Sequence, residues 1–187
     1  MKQLITLENV FSVEECNYLI DQLEKRGFVQ QRSGLDDRII RTHCVFEDRV
    51  LADKLWSRMS PDIGELVDLY NDEFTPEPAV HQPLANYRAV GFNEFLRCYK
   101  YRIGEQFRRH EDFAHEWSPT KRTFLTVLVY LNDDFKGGET DFEQTSIAPC
   151  AGIAAVFPHE LVHAGCPVVS GIKYTLRSDV VFSCEPK

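Results

Sequence analysis

The sequence has no long hydrophobic run and no paired-cysteine motif. No apolar stretch approaches the ~20 residues that a membrane-spanning helix needs, and Glu8 interrupts the short apolar segment near the N-terminus, unlike a secretory signal. The six cysteines are scattered without a C-x-x-C pair, which favours reduced thiols over a disulfide framework or a cysteine zinc site. We therefore expect a cytoplasmic protein that does not bind membranes.

Basic residues are scarce relative to acidic ones. The 187 residues include 21 Lys and Arg against 29 Asp and Glu, which gives a formal charge of −8 at pH 7. Nucleic acids and anionic membranes attract clustered cations, so this balance argues against both as partners. The length and the 43% of hydrophobic residues fit one globular domain over residues 1–187.

The first 80 residues are predicted to form a helical support region. A capping-box pattern beginning at Ser12 precedes apolar residues at helical spacing and predicts a helix over 13–26. Two further helices are predicted over 47–59 and 61–71, separated at Pro61. The segments near 28–46, 72–94 and 113–121 are expected to be loops. Specificity usually lies in loops, but these three carry no recognisable recognition motif.

The remainder, residues 81–187, is predicted to be mainly β. Segments with a period of two or with many β-branched and aromatic residues lie at 95–101, 122–131, 152–157 and 174–182, separated by Gly and Pro. Helices followed by many short strands favour a β-sandwich or barrel with helices packed on one side.

Two short motifs contain metal-binding residue types. On a strand, His110 and Asp112 point to the same face and can converge on one ion, although this pair alone is a weak signal. The string from His159 to His163 is literally H-E-x-x-H, the signature of zinc proteases in which Glu160 would be the general base. That function requires a helix, and the flanking strand-like run, Pro and Gly oppose one.

A third set of residues follows His163. Lys173 lies ten residues after it on a predicted strand, and Arg177 lies four further along. Two histidines and one carboxylate on one side of an ion leave the other side open, which is typical of non-haem Fe(II) oxygenases. A lysine at a distance would balance the charge of a bound dicarboxylate such as 2-oxoglutarate.

At this point the sequence resembles the Fe(II)- and 2-oxoglutarate-dependent dioxygenases of the prolyl 4-hydroxylase-like branch. Four blocks carry the resemblance, in order: Tyr101-x-x-Gly104-x-x-Phe107-x-x-His110-x-Asp112, Thr126 to Asn132, Gly137-Gly138-Glu139-Thr140-x-Phe142, and His163-x-Gly165-x-Pro167-Val168-x-x-Gly171-x-Lys173-Tyr174-x-Leu176-Arg177-x-Asp179-Val180. The resemblance implies a double-stranded β-helix, or jelly roll, with N-terminal helices packed on the major sheet.

The same resemblance implies roles for individual residues. His110, Asp112 and His163 match the iron ligands, while Lys173 and Tyr101 match residues that bind the distal carboxylate of 2-oxoglutarate. By the same resemblance, Thr126 would line the cosubstrate pocket, and Arg177 is an alternative residue for the distal carboxylate. The implied cofactors are Fe(II), 2-oxoglutarate and O2, with ascorbate as a candidate reductant.

Three functions remain open from the sequence. The resemblance favours hydroxylation of a prolyl residue in a peptide or protein, with a free amino acid or another small metabolite as the alternative substrate. A catalytically silent binding module on the same fold is the second function, and the zinc protease is the third. The oligomeric state is left undetermined.

Overall fold

The computed structural model describes residues 4–33, 36–73 and 87–184. The two described helices are α1 (Val13–Arg26) and α2 (Arg49–Glu73), and neither is long and apolar enough to cross a membrane. The described strands are β1 (Ile5–Leu7), β2 (Val29–Ser33), β3 (Asp36–Glu47), β4 (Arg88–Phe92), β5 (Phe95–Tyr101), β6 (Phe107–His110), β7 (Glu116–Ser118), β8 (Lys121–Tyr130), β9 (Lys136–Gly137), β10 (Thr140–Asp141), β11 (Ser146–Ile147), β12 (Ala154–Pro158), β13 (His163–Gly165), β14 (Val168–Ser170) and β15 (Lys173–Ser183).

Nine of these strands form one large antiparallel sheet. Its order is β1-β12-β8-β15-β5-β3-β2, with β4 paired to β15 and β7 paired to β8. A smaller sheet has the order β11-β10-β13-β6, and β14 pairs with β9. A large sheet that carries helices on one side and a small sheet on the other is the predicted jelly-roll arrangement.

Side chains at alternate positions of β15 face either the hydrophobic core or the candidate site. On β15, Tyr174, Leu176 and Val180 belong to the main hydrophobic cluster, which also contains the buried residues of α1 and α2. Because successive side chains of a strand point to opposite faces, four other residues of β15 face the smaller sheet: Lys173, Thr175, Arg177 and Asp179. One strand therefore packs against the helices with one face and builds the site with the other.

Helix α1 begins and ends as predicted. The Ser12 hydroxyl accepts from the Glu15 N–H at 3.2 Å, and the Glu15 carboxylate accepts from the Ser12 N–H at 2.9 Å. The same carboxylate binds Lys54 and Arg58 of α2 at 2.6 and 2.8 Å. The capping box therefore also joins the two helices.

Helix α2 replaces the two helices predicted on either side of Pro61. The proline lies inside the helix, where its missing N–H and its ring cost about 3 kcal/mol. The apolar stripe keeps helical spacing across it, with Leu55, Met59 and Ile63 fully buried. Each such side chain contributes roughly 1.5–3 kcal/mol, so burial outweighs the defect.

The region expected to be helical support also supplies strands. β1 pairs with β12, and β2 and β3 form a hairpin that extends the large sheet beyond β5. The loop predicted over 28–46 is thus mostly strand, and the loops predicted over 72–94 and 113–121 contain β4 and β7. Residues 74–86 of the predicted 72–94 loop lie outside the described residues.

Candidate metal and cosubstrate site

Two histidines and one carboxylate converge between the sheets. His110 ends β6 and His163 begins β13, and the two are direct partners in the antiparallel pairing of these strands. His110 Nε2 lies 3.5 Å from Asp112 Oδ1, and His163 Nε2 lies 3.7 Å from Asp112 Oδ2. One ligand atom from each residue lies within 4.8 Å of the others, so these three side chains can hold one metal ion.

Backbone carbonyls orient both imidazole rings. His110 Nδ1 donates to the Arg108 carbonyl at 2.7 Å, and His163 Nδ1 donates to the Leu161 carbonyl at 2.8 Å. Because Nδ1 carries the proton, the Nε2 lone pair of each ring is directed towards the carboxylate, which is how proteins usually prepare histidine for a metal. Burial lowers the pKa of His163 and favours its neutral, ligating form.

The carboxylate of Asp112 is bound on both oxygens. Arg177 Nη1 lies 2.9 Å from Oδ1, and the Thr126 hydroxyl donates to Oδ2 at 2.6 Å. Arg177 also donates to Asp179 Oδ1 at 3.2 Å. Burial opposes ionisation of Asp112, whose side chain is 4% exposed, but the Arg177 guanidinium and the Thr126 hydroxyl outweigh it and lower the pKa of Asp112. The aspartate is therefore an anion.

A buried lysine lies in a narrow inner cavity behind the triad. Lys173 pairs with Tyr101 across β15 and β5, and its Nζ lies 5.5 Å from the Tyr101 ring and donates to the Gly138 carbonyl. Within the described ranges 4–33, 36–73 and 87–184, no carboxylate forms an ion pair with this ammonium. Burial lowers the pKa of Lys173 to about 8, so below that pH the inner cavity contains a cation that has no carboxylate partner in the described part of the chain.

The inner cavity contains some of the predicted residues but not all. Tyr101 and Lys173 line it, together with Thr140, Thr175 and Leu128. Thr126, expected to line this pocket, instead lies fully buried beneath Asp112. Arg177, the alternative residue for the distal carboxylate, borders the cavity but is paired with two aspartates.

A second, open cavity of about 900 Å³ lies on the other side of the triad. His110, Asp112 and Arg177 form part of its wall, and Phe113, which is 89% exposed, and His115 also line it. His43, which carried no sequence signal, lines it from β3. The triad therefore has the inner cavity on one side and an open groove on the other.

The H-E-x-x-H segment is not a zinc-protease helix. His159 and Glu160 lie in the turn after β12, and His163 begins β13. Both ring nitrogens of the buried His159 are occupied, by the Thr126 hydroxyl at 2.8 Å and the Thr123 hydroxyl at 2.9 Å. The protease interpretation is wrong because the two histidines do not share a helical face and His159 has no nitrogen left for a metal.

Sequence reasoning missed several residues that shape the site. Thr175 and Asp179 share the period-two face of Lys173 and Arg177, so the sequence contained a signal for them. Gly138 stood in the third family block without a role of its own. In the structure its φ of +71° suits glycine, and a Cβ there would lie 3.1 Å from Lys173 Cδ. His159 had no usable signal, because its partners come from another strand.

Comparison with known proteins agrees with this geometry. A profile of the 2OG-Fe(II) oxygenase superfamily matches residues 96–178. A probable prolyl 4-hydroxylase of Arabidopsis thaliana is 26% identical over 89% of this chain and 64% of its own length. A PKHD-type hydroxylase of Shewanella sp. strain ANA-3 is 28% identical over 90% of this chain and 73% of its own. The chain thus spans somewhat less than two thirds of the Arabidopsis relative.

Solved structures show the same fold. A viral collagen prolyl hydroxylase from Paramecium Bursaria Chlorella virus-1, in its 2OG complex, superposes with a TM-score of 0.64 at 20% identity, covering 97% of this chain and 96% of that one. A Trichoplax adhaerens prolyl hydroxylase, bound to a peptide of the hypoxia inducible factor oxygen degradation domain, gives 0.64 at 17% identity over 96% and 84%. The jelly-roll prediction is confirmed.

The fold is that of the solved prolyl hydroxylases, and the His-Asp-His group has the ligand types of a non-haem iron site. More particularly, residues 96–178 match the 2OG-Fe(II) oxygenase superfamily profile, and over about nine tenths of its length the chain is similar to prolyl 4-hydroxylases and PKHD-type hydroxylases at 26–28% identity.

Proposed function

We propose that this protein is an Fe(II)- and 2-oxoglutarate-dependent dioxygenase that hydroxylates an unactivated C–H bond of a prolyl residue in a peptide or protein. Succinate and CO2 would be the other products. The observation that carries the proposal is the placement of the triad between a large open groove and an inner cavity whose buried ammonium has no carboxylate partner among the described residues.

The donor set fits Fe(II). Two imidazole Nε2 atoms and one carboxylate are the ligands of the open-sided iron centres found in oxygenases, and His110, His163 and Asp112 present them within 4.8 Å of one another. The Nδ1 bonds to backbone carbonyls hold both rings in the ligating tautomer before any metal arrives.

The charges of the inner cavity fit 2-oxoglutarate. Arg177 pairs with both Asp112 and Asp179, and the separate positive charge of Lys173 brings the sum of these four charges to zero. Adding a divalent cation together with a dianion preserves this neutrality, whereas adding either alone leaves a buried excess charge, which is costly. Lys173 would bind the distal carboxylate, with Tyr101 beside it.

When bound, Fe(II), 2-oxoglutarate and O2 supply the oxidising chemistry, with ascorbate as the reductant that keeps iron ferrous. The work of this chain is to hold the ligands and to orient the substrate. Arg177 and Thr126 fix the Asp112 carboxylate, and Lys173 fixes the cosubstrate away from the groove. The C–H bond to be hydroxylated would lie on the groove side of the triad.

The shape of the groove supports a peptide rather than a free amino acid. Its volume of about 900 Å³ lies at the upper end of the ~300–1,000 Å³ typical of ligand pockets, and it remains open to the surface. The exposed Phe113 lines the groove just beyond the metal motif and offers an apolar contact. Relatives named as collagen prolyl hydroxylase, and one bound to a hypoxia-inducible-factor peptide, point the same way.

The test begins with metal and cosubstrate. Under anaerobic conditions, Fe(II) followed by 2-oxoglutarate should produce a weak visible charge-transfer band, and air should then release succinate. His163→Ala should lose both signals, while Glu160→Gln, a change in the same segment at an exposed position, should keep them. Absence of Fe(II) and 2-oxoglutarate binding in the wild-type protein would refute the proposal.

Substrate class is tested separately. Proline-containing peptides and free L-proline would be incubated with the complete system and examined for a mass gain of one oxygen atom. Hydroxylation of a peptide supports the proposal, whereas hydroxylation of the free amino acid alone assigns the enzyme to small metabolites.

A further inference from the structure

A continuous row of hydrogen bonds runs from the wall of the open groove to the carboxylate of Asp112. The His115 N–H donates to the Thr123 hydroxyl at 2.9 Å, and that hydroxyl lies 2.9 Å from His159 Nε2. His159 Nδ1 lies 2.8 Å from the Thr126 hydroxyl, which donates to Asp112 Oδ2 at 2.6 Å. We call this row the His159 relay.

The direction of every bond in the relay follows from donor and acceptor chemistry. An ionised carboxylate only accepts, so the single proton of the Thr126 hydroxyl goes to Asp112. The Thr126 oxygen must then accept from His159, which places the imidazole proton on Nδ1. In a neutral ring Nε2 is an acceptor, and it receives the Thr123 hydroxyl proton. The Thr123 oxygen in turn accepts from the backbone N–H of His115.

We propose that His159 is a positioning residue that, as its neutral Nδ1–H tautomer, orients the metal ligand Asp112 through Thr126. This inference rests on the proposed function, because it takes the triad to be the metal site. His159 does not touch the metal or the cosubstrate. It acts only through the hydroxyl that it polarises and holds in place.

The backbone of His159 contacts the same aspartate independently. Its carbonyl accepts from the Asp112 N–H at 2.8 Å, and its N–H donates to the Phe124 carbonyl of β8 at 2.9 Å. The residue therefore connects Asp112 to β8 through both main chain and side chain. Three residues on, the His115 carbonyl accepts from the Thr123 N–H at 2.9 Å, so both ends of the segment 112–115 are attached.

The burial of the relay explains why its loss should affect the metal. Thr123 and Thr126 are fully buried and His159 is 3% exposed. If a substitution removes one of these hydrogen-bonding groups, water therefore cannot readily take its place. Arg177 holds only Oδ1 of Asp112. Without the Thr126 bond, Oδ2 loses its partner and the carboxylate gains freedom to rotate away from the geometry in which it faces His110 and His163.

The tautomer provides a test that is read in the wild-type protein, where the relay is intact. Two-dimensional ¹⁵N–¹H spectra of the metal-free wild-type protein, labelled at histidine, distinguish Nδ1–H from Nε2–H rings, and the spectrum of His159→Gln identifies the signal. A neutral Nδ1–H ring is expected. An Nε2–H ring would reverse the direction of the relay and overturn the proposal.

Metal affinity provides the second test. Co(II) binding would be followed by its visible absorption, which reports coordination as well as affinity. Thr126→Val should bind Co(II) about 10- to 100-fold more weakly, as partners of metal ligands usually do when removed, and His159→Gln should fall in the same range. Thr126→Ser keeps the hydroxyl and should restore an affinity close to that of the wild type.

A matched control separates positioning from packing. Thr42→Val makes the same change at another buried threonine, whose hydroxyl accepts from Arg102 at 3.4 Å, and it should leave Co(II) binding unaltered. If Thr126→Val and His159→Gln lower thermal stability but bind Co(II) like the control, their role is structural and the inference fails. If the wild-type protein binds no divalent metal, the proposed function itself fails, which is a distinguishable result.

Discussion

Replacing Lys173 by methionine tests the cosubstrate site most directly. Methionine preserves much of the length and apolar bulk of the side chain but removes the charge. Lys173 is 4% exposed and has no carboxylate partner among the described residues, so the distal carboxylate of 2-oxoglutarate would lose its buried counter-ion. Removing one partner of a buried pair costs about 3–5 kcal/mol, which corresponds to a roughly 10²- to 10⁴-fold weaker affinity.

The pH dependence sharpens this prediction. Burial lowers the pKa of Lys173 to about 8, and only the charged form pairs with a carboxylate. The affinity for 2-oxoglutarate should therefore be highest below about pH 8. Above pH 8 it should fall by about tenfold for each further pH unit. In Lys173→Met this dependence should disappear.

The assay is calorimetric titration of 2-oxoglutarate into Mn(II)-loaded protein without oxygen, at several pH values. Lys136→Met serves as the matched control, since it removes an exposed lysine from the nearby strand β9 and should bind like the wild type. The reasoning is refuted if Lys173→Met binds 2-oxoglutarate as tightly as the control, or if wild-type affinity does not change across pH 8.

Three further changes test the fold and the metal site. Pro61→Ala should raise the free energy of unfolding in urea by about 1–3 kcal/mol, because it restores a backbone donor inside α2; no gain would mean that the helix does not continue through this position. Gly152→Ala should lower the melting temperature and reduce the free energy of unfolding by more than about 2 kcal/mol. The reason is that Gly152 has a φ of +83° and that a Cβ there would lie 2.1 Å from the Phe11 carbonyl oxygen. A variant as stable as the wild type would contradict that packing. Divalent metal affinity should persist below about pH 6.5 and then be lost on further acidification. The reason is that only the neutral imidazole binds a metal and burial lowers the pKa of His163. Loss of metal above that pH would contradict the lowered pKa.

Much of the secondary structure was predictable because its causes are local. The capping box at Ser12 satisfies backbone donors within one turn, and the helix that it predicts has the observed bounds. The alternation over 95–101 reflects strand geometry and agrees with β5. The prediction failed at Pro61, where the local cost of a proline is smaller than the free energy of burying apolar residues on both sides of it.

The residue types of the site were predictable from the sequence, but some of their positions were not. The order and spacing of four blocks identified the family and singled out His110, Asp112, His163 and Lys173, and the structure brings the first three together. The expected position of Thr126 differed, because its side chain faces Asp112 rather than the inner cavity. Arg177 was expected as an alternative residue for the distal carboxylate of 2-oxoglutarate. The sequence could not show that it pairs with Asp112, because the two residues are far apart along the chain.

By itself, the sequence determined which segments alternate, where α1 begins, and which residue types could bind a metal and a dicarboxylate, because short-range periodicity and donor chemistry settle these. Only the tertiary structure decided that His110 and His163 are opposite partners across β6 and β13, that His159 connects to Asp112 through Thr126, and that Lys173 is buried without a carboxylate partner from residues 4–33, 36–73 or 87–184. Strand register and the facing of two sheets produce these contacts, and both depend on the packing of the whole chain.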